Sequence, residues 1–308
     1  MAKTARKIPR TQADPVNISE RLMIVRLSVS QWYARRFDRN ASDDVAKLHG
    51  KKNADEIGRF NKILVELDSI KPIKRACADL KMKHYSMTAP WTDDGERVLT
   101  SELYFPYIEM VREKQAEIRT LSRDFARGEY ATQIDIAKER LGSLFNKADY
   151  PSAGDIEDAF MVRYRFEPLP NPEDVRVWGV GVNAAKEIEE QVRADVTAAI
   201  TAAQQHVADS VTKRAQEFVE KIARFHQGDT KMLFETAVEN LRETVGLVLK
   251  GLNVTGDPAL TKACDELLGA IAEVTVDKLR TGADLRVKKM AEVEKIASRF
   301  AGIYGGGK

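Results

Sequence analysis

Between Asn183 and Phe225 a single apolar stripe runs through an otherwise polar sequence: Ile188, Val192, Val196, Ile200, Val207, Val211, Phe218, Ile222 and Phe225. Its steps are mostly four residues with occasional threes, averaging roughly 3.7, nearer an eleven-residue repeat than a heptad. That period predicts one long helix packed in a bundle and not a left-handed zipper. Asn183 is a good N-cap and Gly228 marks the stop. At ~1.5 Å per residue the helix is roughly 60 Å long. A helix of that length needs partners along its stripe.

The partners follow directly in sequence. Leu233, Val238, Leu241, Val245 and Val248 form a second stripe, closed by Gly251 and Gly256. Asp257-Pro258 supplies an N-cap and a first-turn proline for a third, continued by Leu260, Leu267, Ile271 and Val274. Leu285, Val293, Ile296 and Phe300 make a fourth. Residues 179–302 are therefore expected to be a long-helix bundle, followed by a glycine tail over 303–308.

Residues 18–178 read as a mixed α/β head behind a basic tail, 1–17. Leu22–Trp32 is β-branched and alternates Val25, Leu27 and Val29 against Arg26, Ser28 and Ser30, which favours a strand over an amphipathic helix. Residues 42–86 look helical, because Ile57, Phe60, Ile63, Leu64 and Leu67 recur at three- and four-residue steps, with a break at Pro72. Ala89–Gly95 is a turn. Helices are expected over 101–127 and 130–146, and Ser152 with Asp155 resembles a helix-entry cap. Ala159–Phe166 reads as a second strand and Val175–Trp178 as a short third. The expected class is mostly α (α+β): a small mixed head with a short antiparallel sheet, plus the bundle.

No local motif carries chemistry. Gly179-Val-Gly181 opens a helix after a strand-like run, as in a dinucleotide loop, but the acid candidate near Asp195 sits inside a continuing helix. Gly302–Lys308 spells a phosphate-loop pattern with no helix behind it. Asp93, Asp94 and Glu96 lack the remaining ligands of a calcium loop. His49, His84, His206 and His226 share no zinc-like spacing, and Cys77 and Cys264 suggest neither a disulfide framework nor a metal knuckle. No cofactor, no metal and no enzymatic activity is expected. The cysteine usage fits a reducing, cytoplasmic compartment; no apolar run approaches a membrane span of ~18–20 residues, and the first residues carry no secretory h-region.

A net charge of +2 is silent about partners, but its distribution is not. Lys3, Arg6, Lys7, Arg10, Arg21, Arg26, Arg35, Arg36 and Arg39 face only Asp14, Glu20 and Asp38 within residues 1–40. Trp32-Tyr-Ala-Arg-Arg-Phe37-Asp-Arg39 interleaves rings with bases, a mixture that stacks nucleobases and holds phosphates, or else buries a tryptophan beside ion-paired arginines. The candidate contacts to nucleic acid or a partner are Lys3, Arg6, Lys7, Arg10, Trp32, Arg35, Arg36 and Arg39.

Four stretches in this order, Leu27–Asp38, Ala89–Gly95, Leu144–Ser152 and Phe166–Val177, resemble an uncharacterised family of phages, plasmids and other mobile elements known as domain of unknown function 3150. The resemblance spans much of residues 20–180. It implies a place beside MoxR-type AAA+ ATPases and von Willebrand-A proteins, in the host cytoplasm if the chain is phage-encoded, and carries over no catalytic residues. The expected function is a non-enzymatic adaptor or scaffold that forms an oligomer or complex through its long helices. The alternative is a DNA-associated accessory of replication or recombination.

Overall fold

The alternation at Val25, Leu27 and Val29 does produce a strand, β1 (Leu22–Val29), whose early residues Leu22, Ile24 and Val25 are buried. The computed structural model describes residues 21–92, 95–171, 182–229 and 235–304. β1 pairs antiparallel with β5 (Arg97–Thr100), Leu22 lying opposite Thr100 and Val25 opposite Arg97. The start of the stretch expected to be a turn, Ala89–Pro90, is instead a strand, β4, paired antiparallel with β5, and next to it the Trp91 N–H donates to the Glu96 carbonyl at 2.9 Å. With β6 (Val162–Pro168) they form a small antiparallel sheet in the order β4-β5-β1-β6. A separate two-stranded ribbon pairs β2 (Arg35–Phe37) with β3 (Asn61–Ile63).

The ribbon corrects the helical reading of 42–86. Apart from a single 3-10 turn at Ala54–Glu56, only α1 (Arg39–Leu48) and α2 (Lys71–Met87) are helical there. Between them Gly50 and Gly58 take φ of +70° and +134°, which a continuing helix cannot contain. Ile57 and Phe60, which carried the helical spacing, are exposed. Pro72 is the second residue of α2, where its missing N–H costs nothing, and so it starts a helix instead of separating two. The expected helices over 101–127 and 130–146 appear as α3 (Tyr104–Asp124) and α4 (Tyr130–Leu141), joined by one π-helical turn, Phe125–Glu129. Ser152 and Asp155 form a reciprocal capping box at the start of α5 (Ala153–Ala159).

Beyond it, α6 (Val182–His226), α7 (Glu235–Leu247), α8 (Pro258–Ile271), α9 (Val276–Thr281) and α10 (Ala283–Tyr304) follow. Asn183 lies within α6, one residue past its start, and does not cap it. The class is as the sequence indicates, mostly α with a small antiparallel sheet.

The described residues group into two compact units, and these do not divide at Trp178–Asn183. One unit is Leu27–His84 with Tyr107–Tyr164. The other takes the segments ending at Arg26, Tyr85–Pro106 and everything from Arg165 onward. The reason lies in the hairpin: β4 packs on α6, and the π-helical turn Val248–Leu252 after α7 packs on Ser101–Leu103. At that place Gly251 has φ +151°, and a Cβ there would sit 2.8 Å from the Glu102 Cβ. Sequence reading grouped the hairpin with the head; its packing puts it with the bundle.

Within the bundle the long stripe is largely consumed. Val196, Ile200, Val207, Val211, Phe218 and Ile222 are buried, together with Ala203, Ala208 and Ala215. α6 packs mainly against α10 and α7, and α8 closes on both α7 and α10. Val238, Leu241, Val245, Leu260, Leu267, Ile271, Val293 and Phe300 supply the facing layers. A buried polar joint sets the register: Gln204 Nε2 donates to Asn253 Oδ1 at 3.0 Å, and Asn253 Nδ2 donates to the Asp257 carbonyl and to Thr261 Oγ1. Arg242 donates to the carbonyls of Ile271, Ala272 and Val274, satisfying the open C-terminal end of α8.

Candidate nucleic-acid interface

Of the eight sequence candidates for a charged interface, Lys3, Arg6, Lys7 and Arg10 lie outside the described residues. The other four separate sharply. Trp32 is partly buried, its ring meeting Tyr130 edge-on at 5.8 Å and Phe125 at 6.5 Å. Both partners flank the π-helical turn, and the Tyr130 hydroxyl donates to the Pro151 carbonyl at 2.9 Å. Trp32 is therefore withdrawn from the candidate contacts. Its neighbour Tyr33 is 67% exposed and takes its place.

The pleat of β2 sorts the arginines onto two faces. Arg36 lies opposite Lys62 in the register, and that face is electrically closed. Lys62 is only 5% exposed. Its Nζ lies 2.8 Å from Asp38 Oδ2, 2.7 Å from Asp149 Oδ2 and 2.9 Å from the Leu144 carbonyl. Burial works to lower the Lys62 ammonium, but the bonds to Asp149 and Asp38 outweigh it and hold it above the usual lysine range. The hydrogen bond from Lys62, followed by the Ala41 N–H, holds Asp38 below the usual carboxylate range. Arg36 Nε joins the cluster 3.5 Å from Asp149 Oδ1. Asp38 has a second task, since its Oδ1 accepts from the Ala41 N–H and caps α1.

The other face of β2 presents Arg35 and Phe37, two residues apart and hence on the same side. Phe37 is 43% exposed, with the Arg59 guanidinium 5.5 Å from its ring centre. Lys74, from α2, stands 5.9 Å from the ring centre of Tyr33. Burial and then the nearby Arg35 guanidinium lower the Lys74 ammonium from its ordinary range. Among the described residues no carboxylate lies within ion-pair distance of Arg35, Arg59 or Lys74. Arg39, the last sequence candidate, is exposed and only loosely paired, 3.9 Å from Asp43.

Comparison with family models, curated proteins and solved structures finds no match.

The remaining chemistry is structural. The buried His84 shares a 2.8 Å hydrogen bond with the Tyr107 hydroxyl. Burial pushes the Cys77 and Cys264 thiols up to about 11 and about 12, far from the thiolate state a nucleophile needs. Among the described residues no group of three His, Cys, Asp or Glu side chains could hold a metal ion, and no helix is long and apolar enough to cross a membrane. The loop residues Asp93 and Asp94, the Gly179–Gly181 motif, the expected strand Val175–Trp178, Leu233 and the terminal residues 305–308 lie outside the described residues.

Arg59 and Lys74 were not visible as site residues in the sequence. Each reaches the site through tertiary pairing, Arg59 from just before β3 and Lys74 from the first turns of α2. The usable signal was the ring-and-base run Tyr33–Phe37 itself, read as a strand whose alternate residues face opposite ways.

Proposed function

We propose that this is a non-enzymatic nucleic-acid-associated protein whose β2 face holds a phosphate backbone. The observation that carries it is the group Arg35, Arg59 and Lys74, three cations around two exposed rings with, among the described residues, no carboxylate in ion-pair distance. Like charges brought together without counter-charges cost stability. A polyanion repays that cost by releasing its counterions as it binds. The opposite face of the ribbon shows the usual alternative, where Lys62 of β3 and Arg36 of β2 are neutralised from within by Asp38 and Asp149. The basic residues Lys3, Arg6, Lys7 and Arg10 add charge of the same sign in sequence.

The test is salt-dependent binding of a labelled oligonucleotide to the full chain. Substituting Arg35, Arg59 and Lys74 by glutamine is expected to shift the slope of log K against log salt by about 0.7–0.9 per phosphate contact removed. A second variant neutralising Lys3, Arg6, Lys7 and Arg10 apportions what remains. Absence of any binding at low salt rejects the proposal.

A second reading, an adaptor or scaffold that assembles with a second copy of itself, rests on the amino-terminal turns of α6. Val182 is 74% exposed, and Ile188 and Val192 are only half-buried, unlike the stripe from Val196 onward. It predicts a discrete oligomer by light scattering that Ile188→Asp with Val192→Asp dissociates; a monomer in the unmodified protein rejects it. Nothing in the geometry bears on the AAA+ ATPase partner that the family resemblance implies.

A further inference from the structure

We infer that the strand bound at the β2 face is single-stranded, its unpaired bases stacking on Tyr33 and Phe37 while Lys74, Arg35 and Arg59 hold the phosphates. This rests on the proposed nucleic-acid reading and specifies its substrate class. Two exposed rings, Phe37 on the ribbon and Tyr33 just before it, are the first ground, because burying them against the core would have stabilised the fold. The adjacent Trp32, partly buried against Phe125 and Tyr130, shows that a ring can be packed inward here. Each exposed ring is also paired with a cation from another element, Lys74 from α2 beside Tyr33 and Arg59 beside Phe37. A flat apolar surface beside a positive charge is what one nucleotide presents to in a single strand, its base to the ring and its phosphate to the cation. Tyr33 and Phe37 are four residues apart, so at most about 13 Å of chain separates them. That spacing suits neighbouring bases of one strand.

Duplex DNA is the competing occupant, since a two-stranded ribbon can enter a major groove. Groove reading needs amide or guanidinium groups aimed at base edges, and duplex bases have their faces occupied by their stacked neighbours. On this ribbon the only amide, Asn61, lies opposite Phe37, and the face of Arg36 and Lys62 is committed to Asp38 and Asp149. The open face adds the rings of Tyr33 and Phe37 to the Arg35 and Arg59 guanidiniums, and it is the rings that a stacked duplex would leave unused.

The experiment measures anisotropy with the full chain against oligothymidylate and oligouridylate of about twenty nucleotides, a duplex of equal length and an abasic deoxyribose-phosphate strand, all at one salt concentration. Either single strand is expected to bind at least tenfold more tightly than the duplex and the abasic strand; the tighter of the two distinguishes DNA from RNA as the source. Tyr33→Ala and Phe37→Ala should each weaken single-strand binding by about fivefold to a hundredfold and leave the salt slope unchanged. Tyr33→Phe should restore it. An unchanged far-UV circular dichroism spectrum and urea midpoint in the ring variants verify their folding. Duplex or abasic strand binding as tightly as the single strands, or ring variants that lose nothing, overturns stacking and leaves the phosphate-binding proposal standing. No binding of any of the four probes overturns both.

Discussion

Lys62→Ala is expected to destabilise its unit by about 3–5 kcal/mol, because it leaves two carboxylates facing each other with their shared cation gone. Lys62 donates to Asp38 and the Leu144 carbonyl and stands in ion-pair contact with Asp149. Asp38 is itself the N-cap of α1, so the repulsion propagates into the start of that helix. Lys62→Met retains most of the side-chain volume but none of the charge, and should recover little. Adding Asp38→Asn and Asp149→Asn to it should recover much of the loss, which identifies charge and not volume as the cause. Hydrogen exchange of amides in Leu27–His84 and Tyr107–Tyr164 reads the effect in the unit concerned. Loss of less than about 1 kcal/mol in Lys62→Ala would show that the cluster contributes little net stability.

The same cluster sets a pH signature. Asp38 titrates lower in the folded protein than unfolded, so its contribution is full above about pH 4 and is lost as pH falls through the folded value. Lys62 titrates higher in the folded protein, so its contribution is full below about pH 10 and is lost as pH rises beyond it. The stability gap between the unmodified protein and Lys62→Ala should therefore be widest between those limits and narrow at both ends. Because Lys62 sits directly across from Arg36 in the ribbon, the variant should also lose oligonucleotide binding without any change to Arg35, Tyr33 or Phe37.

What could be read from sequence divides along local and non-local physics. The helix α6 was legible because its period is written residue by residue, and a helix obeys that period whatever it packs against. The caps at Ser152 and Asp257 were legible for the same reason, each being complete within four residues. The short strands were not. β2, β3, β4 and β5 contain two to four residues each, too few to show alternation, and exist because a partner strand elsewhere fixes them. Ile57, Phe60, Ile63, Leu64 and Leu67 imitated a helix by spacing alone; Gly58 at positive φ and the pairing of Asn61–Ile63 with β2 override it. The interface divides likewise. Arg35 was legible within a dense run of rings and bases. Arg59, Lys74 and the exchange of Trp32 for Tyr33 depended on which face of a three-residue strand meets the core.

Phe218→Ala and Val192→Ala lie on one stripe in the sequence and are expected to differ several-fold in cost. Phe218 is fully buried on α6, and truncating it should cost about 3–5 kcal/mol, combining lost transfer energy with the cavity left behind. The neighbouring buried residues Val211, Ala215 and Ile222 on the same helix are held by the packing of α10 and α7, which leaves the cavity little room to collapse. Val192 is half-buried, about one helical turn before Val196, the first buried residue of the stripe, so its truncation should cost less than about 1 kcal/mol. Urea unfolding of the full chain, followed by helical circular dichroism, compares the two directly. If Val192→Ala proved as costly as Phe218→Ala in a monomer, the amino-terminal turns of α6 would have to be covered by the rest of the chain. If it proved costly only at concentrations where the protein is oligomeric, those turns would be the place where copies meet, and stability would rise with protein concentration. The stripe that most constrains the fold thus has two halves: from Val196 to Ile222 it is buried within the bundle, and before Val196 it stays half-buried, which is why the two truncations are expected to differ.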